Sequence, residues 1–308
     1  MTTSTSSSTG NALVDPAHSS ISKAAKMVAY IRKYAGIPHA AEISDLSNSE
    51  AVFKEVLGDE HFSMGLFAAL ILRRYCALDT VVNEQLAHFP KGPPNIIDLG
   101  ARLTPRGLIW TQGGYATYLE TDLPDVVADK KHIVCGMLGE IPRPELRWAE
   151  FNAVTGDYAE LAGFFPNNGP MFIISEWLCQ YFDRAERAVM GKKLQRFLSV
   201  SGGFYATPDL SIRMSETDRA KIDPSIMRMM AKLEANTGVN LHANAFESSE
   251  ERVAFYEGMG FSVETFDQYD LTMSFRGWEQ ELLESDADRD QFDLLTRGRE
   301  VVVLKPKN

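Results

Sequence analysis

The sequence predicts an α/β fold, with a Rossmann-like, mostly parallel sheet preceded by N-terminal helices and carrying a helical insertion before its last strands. Three observations predict it. Up to Pro93-Pro94 the apolar periodicity is mostly helical. From residue 95 short β-branched or aromatic runs alternate with helical stretches, the pattern of a sheet covered on both faces. Between residues 209 and 244 that alternation is interrupted by further helix.

The elements follow in order. Residues 21–34 (ISKAAKMVAYIRKY) put Ala24, Met27, Val28, Tyr30 and Ile31 near one helical face, with Lys and Arg largely opposite. Helical patterns follow at 51–57 and 64–74, the latter continuing through ALDTVVNEQLAHF until Pro93-Pro94 closes the region. Strands are expected at 95–99, 115–121, 146–151, 171–175 and 203–206, and helices at 105–111, 124–138, 157–165 and 184–200. The insertion contains PSIMRMMAKLEANTG, where Gly238 is a helix stop and the stripe of Met227, Met229 and Met230 reads as packing more readily than as a ligand surface. A helix at 249–258 and strands at 261–266 and 300–304 close the chain.

Composition narrows the function. The 308 residues carry 31 Lys+Arg against 42 Asp+Glu, a net charge of −11, with 44% hydrophobic and 10% aromatic residues. That supports a substantial core. It opposes nucleic-acid binding, which rests on neutralising phosphates with clustered Lys and Arg. The longest strongly apolar stretch, 66–72, is far short of the roughly 20 residues of a membrane span. Cys76, Cys135 and Cys179 are widely spaced, giving neither a disulfide framework nor a metal signature. The Ser/Thr-rich opening lacks the pattern of a secretory signal, so residues 1–19 are expected to be a disordered tail and the protein cytoplasmic.

In doubly wound sheets ligands bind beyond the C-terminal ends of the strands. The first strand ends in Asp98-Leu99-Gly100-Ala101-Arg102-Leu103-Thr104-Pro105-Arg106. Gly100 suits a tight turn where backbone comes close to a ligand, and Asp98 is an acidic group at the strand end. The dinucleotide fingerprint is absent, because Arg102 and Pro105 stand at its second and third glycines. The second strand leads into Glu120-Thr121-Asp122-Leu123-Pro124, with Asp122 lying 22 positions after Gly100. An acid there can accept both hydroxyls of a ribose. Capping the following helix explains it equally well.

Together, LGARLTPR and YLETDLPDVVADKK resemble the leucine carboxyl methyltransferase family, including its tetracenomycin-type polyketide O-methyltransferases, over roughly residues 20–205. Of the family's first motif, Leu-Gly-x-Gly-x-Asp-Thr-Arg, the chain keeps Leu99, Gly100 and Arg106; of its second, Glu-x-Asp-Leu-Pro, it keeps everything. It departs at Arg102, where the family has glycine, and at Thr104-Pro105, where it has Asp-Thr. The resemblance implies a class I methyltransferase using S-adenosyl-L-methionine (SAM). It implies that Arg74 grips the methionine carboxylate, Glu176 contacts the cofactor and Asn152 faces the adenine, beside Asp98, Gly100 and Asp122. Residues 20–92 then form a helical lid over a core at 93–308, with a substrate cap at 209–244.

Each of these residues has a plainer role open to it: Glu176 at a helix N-terminus, Arg74 on the surface beside Arg73, Asn152 in a turn. The acceptor is expected to be a small molecule methylated on a carboxylate or hydroxyl oxygen. A carboxylate needs no base, whereas a hydroxyl profits from one. Tyr181, His242 and Arg213 are candidate acceptor-side residues. A non-methylating member of the family and a protein carboxyl methyltransferase are the alternatives, and the oligomeric state is open.

Overall fold

The computed structural model of the protein describes residues 16–58, 62–139, 141, 143–237, 244–271 and 281–307. Four helices come first: α1 (Pro16–Tyr34), α2 (Ala40–Leu46), α3 (Ser49–Leu57) and α4 (Met64–Leu86). The alternating region runs β1 (Asn95–Leu99), α5 (Arg106–Trp110), β2 (Thr117–Asp122), α6 (Pro124–Leu138), β3 (Leu146–Glu150), α7 (Tyr158–Leu161), β4 (Met171–Ser175), α8 (Arg184–Ser201) and β5 (Gly203–Thr207). Then come α9 (Glu216–Arg219), α10 (Pro224–Thr237), α11 (Ser249–Glu257), β6 (Phe261–Asp267), α12 (Gln268–Leu271), α13 (Asp286–Thr296) and β7 (Glu300–Pro306).

The strands make one sheet in the order β3-β2-β1-β4-β5-β7-β6. Only β7 runs against the others, antiparallel to both β5 and β6. Strands β1, β2 and β4 are buried along their whole length, as expected for parallel strands covered on two faces. The edge strands β3 and β6 are mostly half-buried. Alternate side chains feed two cores: Ile96, Tyr118, Phe172, Phe204 and Val303 on one face, and Ile97, Leu119, Ile173, Tyr205 and Val302 on the other. The chain order reverses between β1 and β4, so a crevice opens above their C-terminal ends.

A third core lies above this crest. It joins Met27 and Ile31 of α1, Phe53 of α3, Leu72 of α4 and Ile226 and Met229 of α10. The insertion helix α10 therefore packs on the N-terminal helices and forms one roof with them. Met229 is buried within it while Met227 and Met230 pack against it, the packing role read from their spacing.

Several boundaries differ from the sequence reading. Helix α1 starts at Pro16, four residues into the expected tail, and proline is well suited to a first helical turn. The second strand begins at Thr117 and includes Asp122. The helix expected at 157–165 is the single turn α7 followed by a 3₁₀ turn at Ala162–Phe164. Helix α2 was not anticipated: seven residues are too few to show a 3.6-residue period, and its entry residue His39 is left-handed with no side-chain cap. Nor was α13, whose sequence DADRDQFDLLT buries only Phe292, Leu294 and Thr296. Among the described residues no helix is long and apolar enough to cross a membrane, and no acid, His or Cys cluster is arranged to hold a metal.

Candidate active site

Gly100, Asp122, Glu176 and Asp209 follow or end β1, β2, β4 and β5, along one edge of the sheet. Gly100 has φ +66°, and a Cβ there would lie 2.9 Å from Leu178 Cδ1, so both backbone and space favour glycine. Arg102 also takes a left-handed conformation, φ 50°, which is uncommon for a long side chain. Its N–H donates to Asp122 Oδ2 at 2.8 Å, and its guanidinium lies over the Tyr181 ring, 4.6 Å from the centroid. Asp122 Oδ1 accepts the Leu123 N–H at 2.8 Å. Burial pushes the Asp122 carboxyl up, against the pull of Arg102 and these two N–H groups. Each of its oxygens keeps lone-pair capacity for a further donor.

Glu176 is buried among three arginines from three different helices. Its Oε2 accepts from Arg32 Nη2 at 3.2 Å and from Arg106 Nη2 at 3.1 Å, and Arg106 Nε donates to Asp79 at 2.7 Å. Burial opposes ionisation of Glu176, but the charges of Arg106, Arg32 and Arg74 outweigh it and hold the carboxyl below its usual range. The other oxygen, Oε1, is buried without a hydrogen-bond partner. It lies 3.6 Å from Arg74 Nε, itself buried and unpartnered.

Arg74 thus stands at the crest rather than on the free surface. It donates to the Asp209 carboxylate and, at 3.3 Å, to Pro208 O, and it covers the Trp177 ring at 4.6 Å. Its neighbour Arg73 turns the other way, donating to Thr296 at 2.8 Å and stacking on Phe292. Asp209 accepts the N–H groups of Trp177, Leu178 and Cys179 at 2.8, 2.6 and 2.8 Å. One carboxylate therefore pins the loop that carries both Glu176 and Leu178.

Other expected site residues lie elsewhere. Asp98 points into the core face rather than onto the crest: Tyr118 Oη donates to it at 2.8 Å, and burial pushes its carboxyl up to about 7 despite the nearby Arg106. This follows from strand alternation, which pairs it with Glu120 across β1 and β2. Glu120 is in turn closed off by Lys130 at 2.9 Å and Trp148 at 2.9 Å. Asn152 is exposed, and its Oδ1 accepts the N–H groups of Val154 and Thr155, both at 3.0 Å. That is the turn role. Arg213 pairs with Glu247 at 2.6 Å and is about one-third exposed. His242 lies outside the described residues.

Between the crest and the roof is a chamber of ≈350 Å³. Met27, Phe53, Ile71 and Met230 are among its apolar lining, and Arg74, Trp177, Tyr181, Asp209, Arg213 and Arg299 contribute to its polar end. The sequence reading missed Arg32, which it placed with the solvated Lys and Arg of α1. The side chain is 3% exposed and reaches Glu176. Its spacing of four residues after Val28, on the margin of the apolar face, was the available signal. Arg299 and Asp209 had none, since both act through tertiary neighbours.

No protein-family profile matches the sequence, and no curated protein does. Solved structures with a similar fold include a phosphoethanolamine N-methyltransferase of Haemonchus contortus in complex with S-adenosyl-L-methionine. It has 9% identity and a TM-score of 0.48 over 90% of this chain, which spans 60% of the length of that protein. The magnesium protoporphyrin IX methyltransferase of Synechocystis PCC 6803 gives 11% and 0.46, covering 86% of this chain and 97% of the other. The geranyl diphosphate C-methyltransferase of Streptomyces coelicolor A3(2) gives 12% and 0.46, covering 83% and 87%.

Proposed function

We propose that the chain is a SAM-dependent methyltransferase of the class I type that places a methyl group on an oxygen of a small molecule. The observation that carries this reading is the unsatisfied pair at the crest. Glu176 Oε1 and Arg74 Nε are both buried and lack hydrogen-bond partners, 3.6 Å apart. An α-amino acid end supplies an ammonium for the first and a carboxylate for the second. Asp122, with acceptor capacity left on both oxygens, suits a ribose diol. Gly100 lies between them, and its missing Cβ leaves room for a ligand once Leu178 turns aside.

SAM, when bound, supplies an electrophilic methyl group on a sulfonium. The chain's own residues then have separable tasks. Arg74, Glu176 and Asp122 bind and orient; Asp209 holds the loop that positions Glu176; the roof of α1, α3 and α10 covers the chamber. A chamber of ≈350 Å³ beneath this roof favours a small acceptor over a protein. Tyr181 and Arg213 line it on the acceptor side, and Asp98 takes no part.

Calorimetry on the intact chain tests the reading. Wild-type protein binds SAM, and Asp122→Ala weakens it at least about tenfold, the effect of losing charged hydrogen bonds. Absence of binding by the wild type overturns the proposal. A non-methylating binder is the second reading, favoured by the Arg102–Tyr181 stack and by Leu178 over Gly100. Under the first reading Arg102→Gly keeps methyl transfer and leaves SAM affinity equal or higher. SAM binding with no transfer across a broad acceptor panel, in both wild type and Arg102→Gly, selects the second.

A further inference from the structure

Arg299 sits in the turn between α13 and β7, at the same crest, because β7 pairs with β5 through Thr207 and Val302. Its Nε donates to Leu295 O at 3.1 Å, and among the described residues no carboxylate pairs with it. The charge that acts on it is of like sign: burial, and then Arg74, hold the Arg299 guanidinium below its usual range. Both arginines line the chamber.

The chamber's charges are therefore opposite to those of the chain. Arg74, Arg213, Arg219 and Arg299 line it against Asp209 and Glu234, in a protein of net charge −11. Arg74 is matched by Asp209 and Arg213 by Glu247. Among the described residues Arg219, which is exposed, and Arg299, which is half-buried, have no carboxylate partner, and Arg299 has only a backbone acceptor, so its guanidinium can pair with an anion in the chamber. The rest of the wall is mostly apolar and rich in methionine, including Met27, Met229 and Met230, side chains that adapt to irregular hydrocarbon shapes.

We propose that the chamber binds a carboxylic acid with an apolar body, the carboxylate on Arg299 and the hydrocarbon along the methionine wall. A guanidinium fork suits a carboxylate, which it pairs through two parallel hydrogen bonds. The inference rests on the methyltransferase reading only for taking this ligand as the methyl acceptor; the binding itself does not depend on SAM.

The test uses the intact chain without SAM, titrated with dodecanoate and with dodecan-1-ol below their aggregation limits. Dodecanoate binds at least about tenfold more tightly than the alcohol, as a charge-assisted pair predicts. Arg299→Gln abolishes that preference while the alcohol binds as before, and Arg299→Lys keeps part of it. Equal binding of acid and alcohol by the wild type overturns the proposal, as does an undiminished preference in Arg299→Gln. If Arg299→Gln no longer binds the alcohol, Arg299→Lys decides: a retained acid preference supports the proposal, and equal binding overturns it. SAM titration of the same samples shows separately whether the methyltransferase reading stands.

Discussion

Beneath the crest, Glu176, Arg32, Arg106 and Asp79 form a charge network in which nearly every group has an opposite partner. A short distance away, under the roof of α1, α3 and α10, the chamber presents a mostly apolar wall and an arginine with no counter-charge. The first region is closed around Glu176 Oε2, with Oε1 left for the proposed cofactor, and the second is incomplete. The network holds elements together, and the cost of disturbing it falls on stability. The chamber is the part that a ligand completes, so the cost of changing its arginines falls on binding.

Removing the centre of the network has the largest effect. Glu176→Ala leaves Arg32 and Arg106 buried without their shared acid, and it destabilises the protein by about 3–5 kcal/mol. Urea unfolding measures this; a loss below about 1 kcal/mol shows that the network is not the structural centre and breaks the contrast.

Next is a pH effect confined to the closed side. The folded protein keeps the Asp98 proton up to about pH 7, whereas an unfolded chain releases it near pH 4. The folded state thus binds the proton more tightly. Stability from this group is full below about pH 4, falls as pH rises toward 7, and is gone above it. The slope is at most about 1.4 kcal/mol per pH unit. Unfolding curves of wild type and Asp98→Asn across this window diverge accordingly; parallel curves count against a buried protonated Asp98.

The smallest change in stability belongs to the chamber wall. Met229 is 3% exposed, yet it borders open space, so Met229→Ala costs about 2 kcal/mol, the low end for a buried methionine. Its unfolding midpoint falls less than that of Glu176→Ala. A larger loss would mean that the roof, rather than the network, carries the packing.

Much of this architecture was legible beforehand, for identifiable reasons. Fully buried parallel strands read as continuous apolar runs, so NIIDL and MFIIS declared β1 and β4. Gly100 was legible because only a few residue types tolerate a left-handed turn against a neighbouring side chain. Arg74, Asp122 and Glu176 were found as a set, through motif resemblance, and they do meet at one edge of the sheet. Asp98 stands near a strand end, while strand alternation turns its side chain into the core, a relation that its place in the sequence does not reveal. Arg32 was misjudged because helical periodicity separates faces but cannot say that a charged residue beside the apolar stripe meets a buried acid 144 positions away.

The sequence by itself determined the alternation of strands and helices from β1 to β5, the α/β class and the glycine turn after β1, because these depend on local periodicity and on turn chemistry within a few positions. Only the tertiary structure decided that α10 closes over the N-terminal helices, that three arginines converge on Glu176 and that Arg299 is left without an acid. Those relations join segments far apart in the chain. Burial, which sets the energy of each charge, arises only when the segments pack.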